Sequence, residues 1–162
     1  MKSRTGAAAL LLMAWCPVAA ALDPARPLRD FWLTAWQQEL PQNTVHDVVQ
    51  TRDGYIWFGT YEGLVRFDGV RFEVYDRRNT KELGNSKDLG NASVFALHED
   101  RAGSLWIGTP GGGAVRYRDG VFRRYGKEDG LPDTYVFAFC EDLAGELWAG
   151  TNGGVVRLRG ER

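Results

Sequence analysis

The sequence is poor in the residues from which disulfide scaffolds and metal sites are built. Only two cysteines and two histidines occur in 162 residues. Cys16 lies in an N-terminal segment expected to be removed, which leaves Cys140 alone, so neither an intrachain disulfide nor a cysteine-based zinc site can form. Cys140 sits in the apolar run 136–140, where a buried, inert thiol is expected. The two histidines, His46 and His98, are eleven and eight residues before the tryptophan that follows each. Their unequal spacing argues against convergence on one metal, and no metal site or cofactor is expected. A formal net charge of −1 excludes the basic field of a nucleic-acid binder. No long 3.6-residue period occurs, so no helix of consequence is expected and repeat folds made of helical pairs are excluded. Gly111-Gly112-Gly113 is followed by no Lys-Ser/Thr and opens no helix, so it is not a phosphate loop. With 44% hydrophobic and 25% charged residues, the chain is globular in composition.

The one long apolar run is at the start. Lys2 and Arg4 precede an apolar stretch at 7–15 that Pro17 breaks, and Ala19-Ala20-Ala21 follows. That order marks residues 1–21 as a secretory signal peptide cut after Ala21, too short for a comfortable membrane span. Its removal takes away Lys2 and Arg4 and no acid, leaving a net charge of −3. Trp15, directly before Cys16, is too bulky for a lipoprotein pattern. Residues 22–30, with Pro24 and Pro27, form an extended leader.

What the sequence has in abundance is glycine (20) and tryptophan (6), and both are periodic. Trp57-Phe58-Gly59-Thr60 returns as Trp106-Ile107-Gly108-Thr109 and as Trp148-Ala149-Gly150-Thr151. A glycine stands three before each tryptophan (Gly54, Gly103, Gly145), a valine twelve before (Val45, Val94, Val136) and a leucine seventeen before (Leu40, Leu89, Leu131). Gly63, Gly113 and Gly154 follow the threonines, and Arg66, Arg116 and Arg157 come three later. The intervals are 49 and 42 residues, periods that belong to solenoids, propellers and arrays.

Within each unit, short β-rich stretches alternate with tight turns. In the first, strands are expected at 45–50, 55–60, 64–67 and 71–75, with Asp53-Gly54 and Asp68-Gly69 as turns. The second unit repeats this at 94–99, 104–109, 114–118 and 121–125. The third supplies 136–141, 146–151 and 155–159. The expected architecture is therefore all-β, a partial β-propeller of about three four-stranded antiparallel blades, the last incomplete. Blade 1 spans 40–75, blade 2 spans 89–125 and blade 3 spans 131–159. A polar insert at 76–88 forms a surface loop. Residues 31–36 end like a fourth strand and are expected to be the outer strand of a closing blade. Three units fall short of a closed ring, so the chain is expected to be a piece of a longer protein.

A four-stranded sheet this small must stack on its neighbours, and the tryptophan of each unit fills the gap between sheets. Trp57, Trp106 and Trp148 are expected in equivalent buried positions. Gly59, Gly108 and Gly150 leave room for a neighbouring backbone, and Thr60, Thr109 and Thr151 complete the structural box. Gly54, Gly103 and Gly145 supply turns. None of these residues is catalytic. The recurring pairs Glu99-Asp100 and Glu141-Asp142 are expected as turn carboxylates, paired between blades with Arg66, Arg116 and Arg157.

The third unit shows the pattern most fully, in Val136, Asp142, Gly145, Leu147, Trp148, Gly150, Thr151, Gly154 and Arg157. Together with Gly130-Leu131-Pro132 and Leu40-Pro41-Gln42-Asn43, it resembles the two-component regulator propeller repeat. Thr51, where the other units have Asp100 and Asp142, and one extra glycine in the second unit are the departures. The resemblance covers residues 31–159. It implies an extracytoplasmic, periplasmic sensor region of a bacterial receptor whose output is a histidine kinase or a diguanylate cyclase. Neither an output motif nor a second hydrophobic span occurs in the sequence. The expected partners are the remaining blades and output domain of the parent receptor, and an extracellular small molecule or oligosaccharide. The loops after the second and fourth strands share one face, and Tyr61, Glu62 and Asn152 on it are the candidate ligand-binding residues. A secreted propeller enzyme acting on extracellular polymers is the alternative, although no convergent His/Tyr/carboxylate set stands out on that face.

Overall fold

The computed structural model describes residues 34–76, 78–80 and 93–158. The expected signal peptide and the leader at 22–30 lie outside the described residues, as does most of the insert at 76–88. Of a first compact unit, Met1–Ala35, only Thr34 and Ala35 are described, without secondary structure; the rest belongs to a second unit, Trp36–Arg162.

That second unit contains three antiparallel sheets, each a meander in chain order. The first holds β1 (Val45–Gln50), β2 (Ile56–Thr60), β3 (Gly63–Phe67) and β4 (Phe72–Tyr75). The second holds β5 (Ala96–Glu99), β6 (Leu105–Thr109), β7 (Gly113–Arg118) and β8 (Val121–Tyr125). The third has three strands, β9 (Val136–Glu141), β10 (Leu147–Thr151) and β11 (Gly154–Leu158). A 3-10 turn at Lys127–Asp129 joins the second sheet to the third. The architecture is an all-β partial propeller of two four-stranded blades and one three-stranded blade.

Strand alternation puts one side chain set of each blade against the next. Trp57 and Leu64 of blade 1 pack with Leu97, Leu105, Ile107 and Val115 of blade 2. Trp106 and Ala114 of blade 2 pack with Val136, Leu147 and Ala149 of blade 3. Trp57 is wedged 5.2 Å from Tyr117 of the next blade and 5.8 Å from Tyr75 of its own. The glycine of the box is what lets the sheets approach. A Cβ on Gly59 would lie 2.7 Å from Val94 Cγ1, and one on Gly108 would lie 2.8 Å from the Val136 carbonyl oxygen.

Four expectations need correction. Trp57 and Trp106 are 1% and 7% exposed, but Trp148 is 36% exposed, because no sheet covers the far face of blade 3 among the described residues. Cys140 is exposed for the same reason: on β9 it points away from blade 2. Residues 34–36 carry no strand, and 31–33 lie outside the described residues. Trp36 instead sets its ring 5.7 Å from Phe67 and 6.1 Å from Phe72 on the other face of blade 1, where an apolar ring gains area without any ladder pairing. Finally, β5 begins two residues later than 94, because the Val94 amide donates across the joint to Thr60 O at 2.9 Å.

Candidate functional site

Each blade turn is fastened by the residue six before its tryptophan. Asp100 accepts the Ser104 amide on Oδ1 and the Trp106 indole N–H on Oδ2, both at 2.8 Å. Asp142 does the same for Glu146 and Trp148, each at 2.9 Å. In blade 1, Thr51 Oγ1 takes the aspartate's place and accepts from Trp57 Nε1 at 3.0 Å. The box threonines close the following turn: Thr60, Thr109 and Thr151 donate their hydroxyls to the carbonyls of Gly63, Gly113 and Gly154 at 2.8, 2.9 and 2.7 Å.

The inter-blade ion pairs were expected from Arg66, Arg116 and Arg157. The structure gives that work to other arginines. Arg52 donates its amide to Glu99 at 3.1 Å and its guanidinium to the carbonyls of Asp100 and Arg101, both at 2.8 Å. Arg101 repeats the clasp one blade on, to the Glu141 carboxylate at 2.8 Å and to the carbonyls of Asp142 and Leu143. Arg66 and Arg157 pair within their own blades, with Glu73 and Glu146. The signal was in the sequence: Arg52 and Arg101 each stand five before a tryptophan. The third unit conceals it, with Leu143 in that position.

A second set of residues converges at the start of the first strand of each blade. The residue directly after the column valine is His46, Phe95 or Phe137. His46 and Phe137 fall where the ladder register shifts, between Val45 and Asp47 in β1 and opposite Gly150/Thr151 in β9. A bulge re-aims its extra side chain away from the regular alternation. Because β5 packs against both β1 and β9, the three rings form a row: His46 to Phe95 at 4.6 Å, Phe95 to Phe137 at 6.1 Å. Tyr61 joins at 5.4 Å from His46 and 6.4 Å from Phe95, and Tyr135 at 6.4 Å from Phe137. Tyr61, Tyr135 and Phe137 are exposed, and so is His46.

Of the three candidate ligand residues, Tyr61 therefore lies in this aromatic rim. Asn152 reaches its edge, donating its amide to Tyr135 O at 3.0 Å. Glu62 follows Tyr61 directly in the chain, and its amide donates to Thr60 Oγ1 at 3.3 Å. Phe95, Phe137 and Tyr135 were not among the candidates, although a ring after the column valine in all three units was legible. Its spacing to tryptophan sets His46 apart only from a metal site shared with His98. Counted from the valine instead, it shares a column with Phe95 and Phe137. His98 lies elsewhere, between blades 2 and 3, with Nε2 buried 4.0 Å from Glu141 Oε2.

Stacked antiparallel meanders, each with an indole in the gap to its neighbour, define the chain as a β-propeller arc. Three segments, 39–62, 88–111 and 130–153, match the two-component regulator propeller family, and the chain is built from that family's repeats. Among solved structures it is similar to the extracellular domain of a putative hybrid two-component system from B. thetaiotaomicron, at 24% identity and a TM-score of 0.57 over 70% of this chain and 15% of that one. It is also similar to virginiamycin B lyase from Staphylococcus aureus, at 18% identity and a TM-score of 0.51 over 74% of this chain and 43% of that one. A surface component of the type-IX secretion system of Porphyromonas gingivalis matches at 15% identity and a TM-score of 0.53, over 71% of this chain and 17% of that one. The chain thus spans less than half the length of each. No curated protein matches the sequence.

Proposed function

We propose that this chain is part of the extracytoplasmic ligand-sensing propeller of a bacterial signal-transduction receptor, whose output module, a histidine kinase or diguanylate cyclase, lies elsewhere in the parent protein. The ligand, an extracellular small molecule or oligosaccharide, is taken at the aromatic rim. The observation that carries this reading is the row His46–Phe95–Phe137, one ring from each of three successive repeats, flanked by Tyr61 and Tyr135. Exposed rings bury the apolar faces of a sugar, while the phenols, the imidazole and the side-chain carboxamide of Asn152 offer hydrogen bonds at its edge. The family match and the secretory character of residues 1–21 support a periplasmic location. His46 meets the rings of Tyr61 and Phe95, which supports binding over acid–base catalysis. In this reading His46 is a ligand contact. The likeness to the lyase is one of fold and supports no reaction here.

The test is binding of the full chain to a panel of neutral oligosaccharides. Phe95→Ala combined with Phe137→Ala should weaken any captured glycan at least tenfold while the β-sheet circular dichroism persists. Unchanged binding in the double variant would exclude the rim.

A further inference from the structure

At the opposite end of the same strands, a groove between blades 2 and 3 carries a charge arrangement that the other blades lack. In blade 1 the column arginine, Arg66, faces Glu73 in strand register and pairs with it. Its guanidinium also lies 4.4 Å over Tyr55 and 5.6 Å over Trp57. In blade 3, Arg157 pairs with Glu146 and lies 5.7 Å over Trp148. In blade 2 both acid positions have changed. The residue opposite Arg116 in the ladder is Arg123, and the position of Tyr55 and Glu146 is Ser104. Among the described residues, Arg116 has neither an acid partner nor a ring partner. Like charges directly opposite on one sheet face repel, so the ladder holds Arg116 beside a second positive charge.

Arg116 lines a cavity of about 500 Å³ together with Arg101, Arg118, Trp106, Asp100 and Glu141. The two carboxylates do not answer it. Both oxygens of Asp100 are taken by Ser104 N and Trp106 Nε1. Glu141 is taken by the Arg101 amide and by Arg101 Nε at 3.2 Å. Among the described residues, the acid paired with Arg118 is its exposed neighbour Asp119, at 3.5 Å. A guanidinium left open in a groove of ligand size presents a planar fork that matches an oxyanion with two parallel hydrogen bonds.

We infer that the groove between blades 2 and 3 binds an oxyanion carried on a body of monosaccharide size, such as a sugar carboxylate, with Arg116 as its principal contact and Arg118 beside it. The site is separate from the aromatic rim and stands whether or not the rim binds a glycan. The ligand anion takes the place that Glu73 and Glu146 occupy in the other two blades.

Calorimetric titration of the full chain with galacturonate, galactose and sodium sulfate tests this. Galacturonate should bind, galactose should not, and sulfate should bind at least tenfold more weakly than galacturonate. Arg116→Gln should reduce galacturonate affinity at least tenfold. Arg123→Glu restores the blade 1 arrangement by placing an acid opposite Arg116; it should abolish binding while the β-sheet circular dichroism persists. That second variant separates loss of the site from loss of the fold. Equal affinity for galactose and galacturonate, sulfate binding as tight as galacturonate, or galacturonate binding unchanged in either variant would overturn the assignment.

Discussion

The indole of Trp106 is tied to the carboxylate of Asp100, Nε1 to Oδ2 at 2.8 Å. The pair couples the tryptophan common to all three units to the turn residue six before it. The tryptophan fills the space between blades, and the aspartate that shapes its own turn also fixes the angle at which the ring enters that space. Asp142 and Trp148 repeat it, and Thr51 shows that only an acceptor is needed, not a charge.

Removing that acceptor should therefore be costly where the ring is buried. Asp100→Ala leaves the indole N–H without a partner in the blade 2–blade 3 gap and should destabilise the chain by about 1–3 kcal/mol in urea unfolding. Asp142→Ala should cost less, since Trp148 is partly exposed and water can take the acceptor's place. Equal losses for the two variants would contradict this reading.

The box glycines should divide in the same way. A Cβ on Gly108 meets the Val136 carbonyl oxygen at 2.8 Å, whereas one on Gly150 meets only Ala138 Cβ at 3.7 Å, an ordinary contact. Gly108→Ala should lower stability by about 1–3 kcal/mol through overpacking against backbone. Gly150→Ala should leave the melting temperature unchanged. Thermal unfolding of the two variants decides the point.

The carboxyl of Asp142 is held below its ordinary value of 3.8, first by the hydrogen bond from Trp148 and then by the amide of Glu146. A folded-state value below the unfolded one means that the carboxylate stabilises the fold above the ordinary value. That contribution is lost as the pH falls through the folded-state value. Trp148→Phe removes the leading cause, so the Asp142 titration followed by side-chain carbon NMR should move up toward 3.8. An unmoved midpoint would assign the shift to the backbone amides alone.

Cys140 should react with Ellman's reagent in the native state, without a lag for unfolding, because its thiol is exposed on the open face of blade 3. Reaction only after denaturant is added would show that face to be covered in solution.

The sequence by itself determined the repeat, the strand-and-turn order and the all-β class, because these rest on local chemistry. Gly54, Gly103 and Gly145 sit in turns at φ of 93°, 80° and 82°, a conformation that glycine alone enters freely, and alternation along a strand assigns each side chain to a face. Tertiary structure decided which faces are covered. Trp57 and Trp148 occupy the same place in their repeats, and only the presence or absence of a neighbouring sheet separates a buried ring from an exposed one. It also decided which arginine clasps which blade, since Arg52 and Arg66 are equally plausible on spacing and only the stacking geometry brings one of them to Glu99. The rim of His46, Phe95 and Phe137 was legible as a column. Its rings meet because two of them stand at register shifts and because the first strands of successive blades pack side by side, relationships between residues 49 and 42 positions apart that no local pattern encodes.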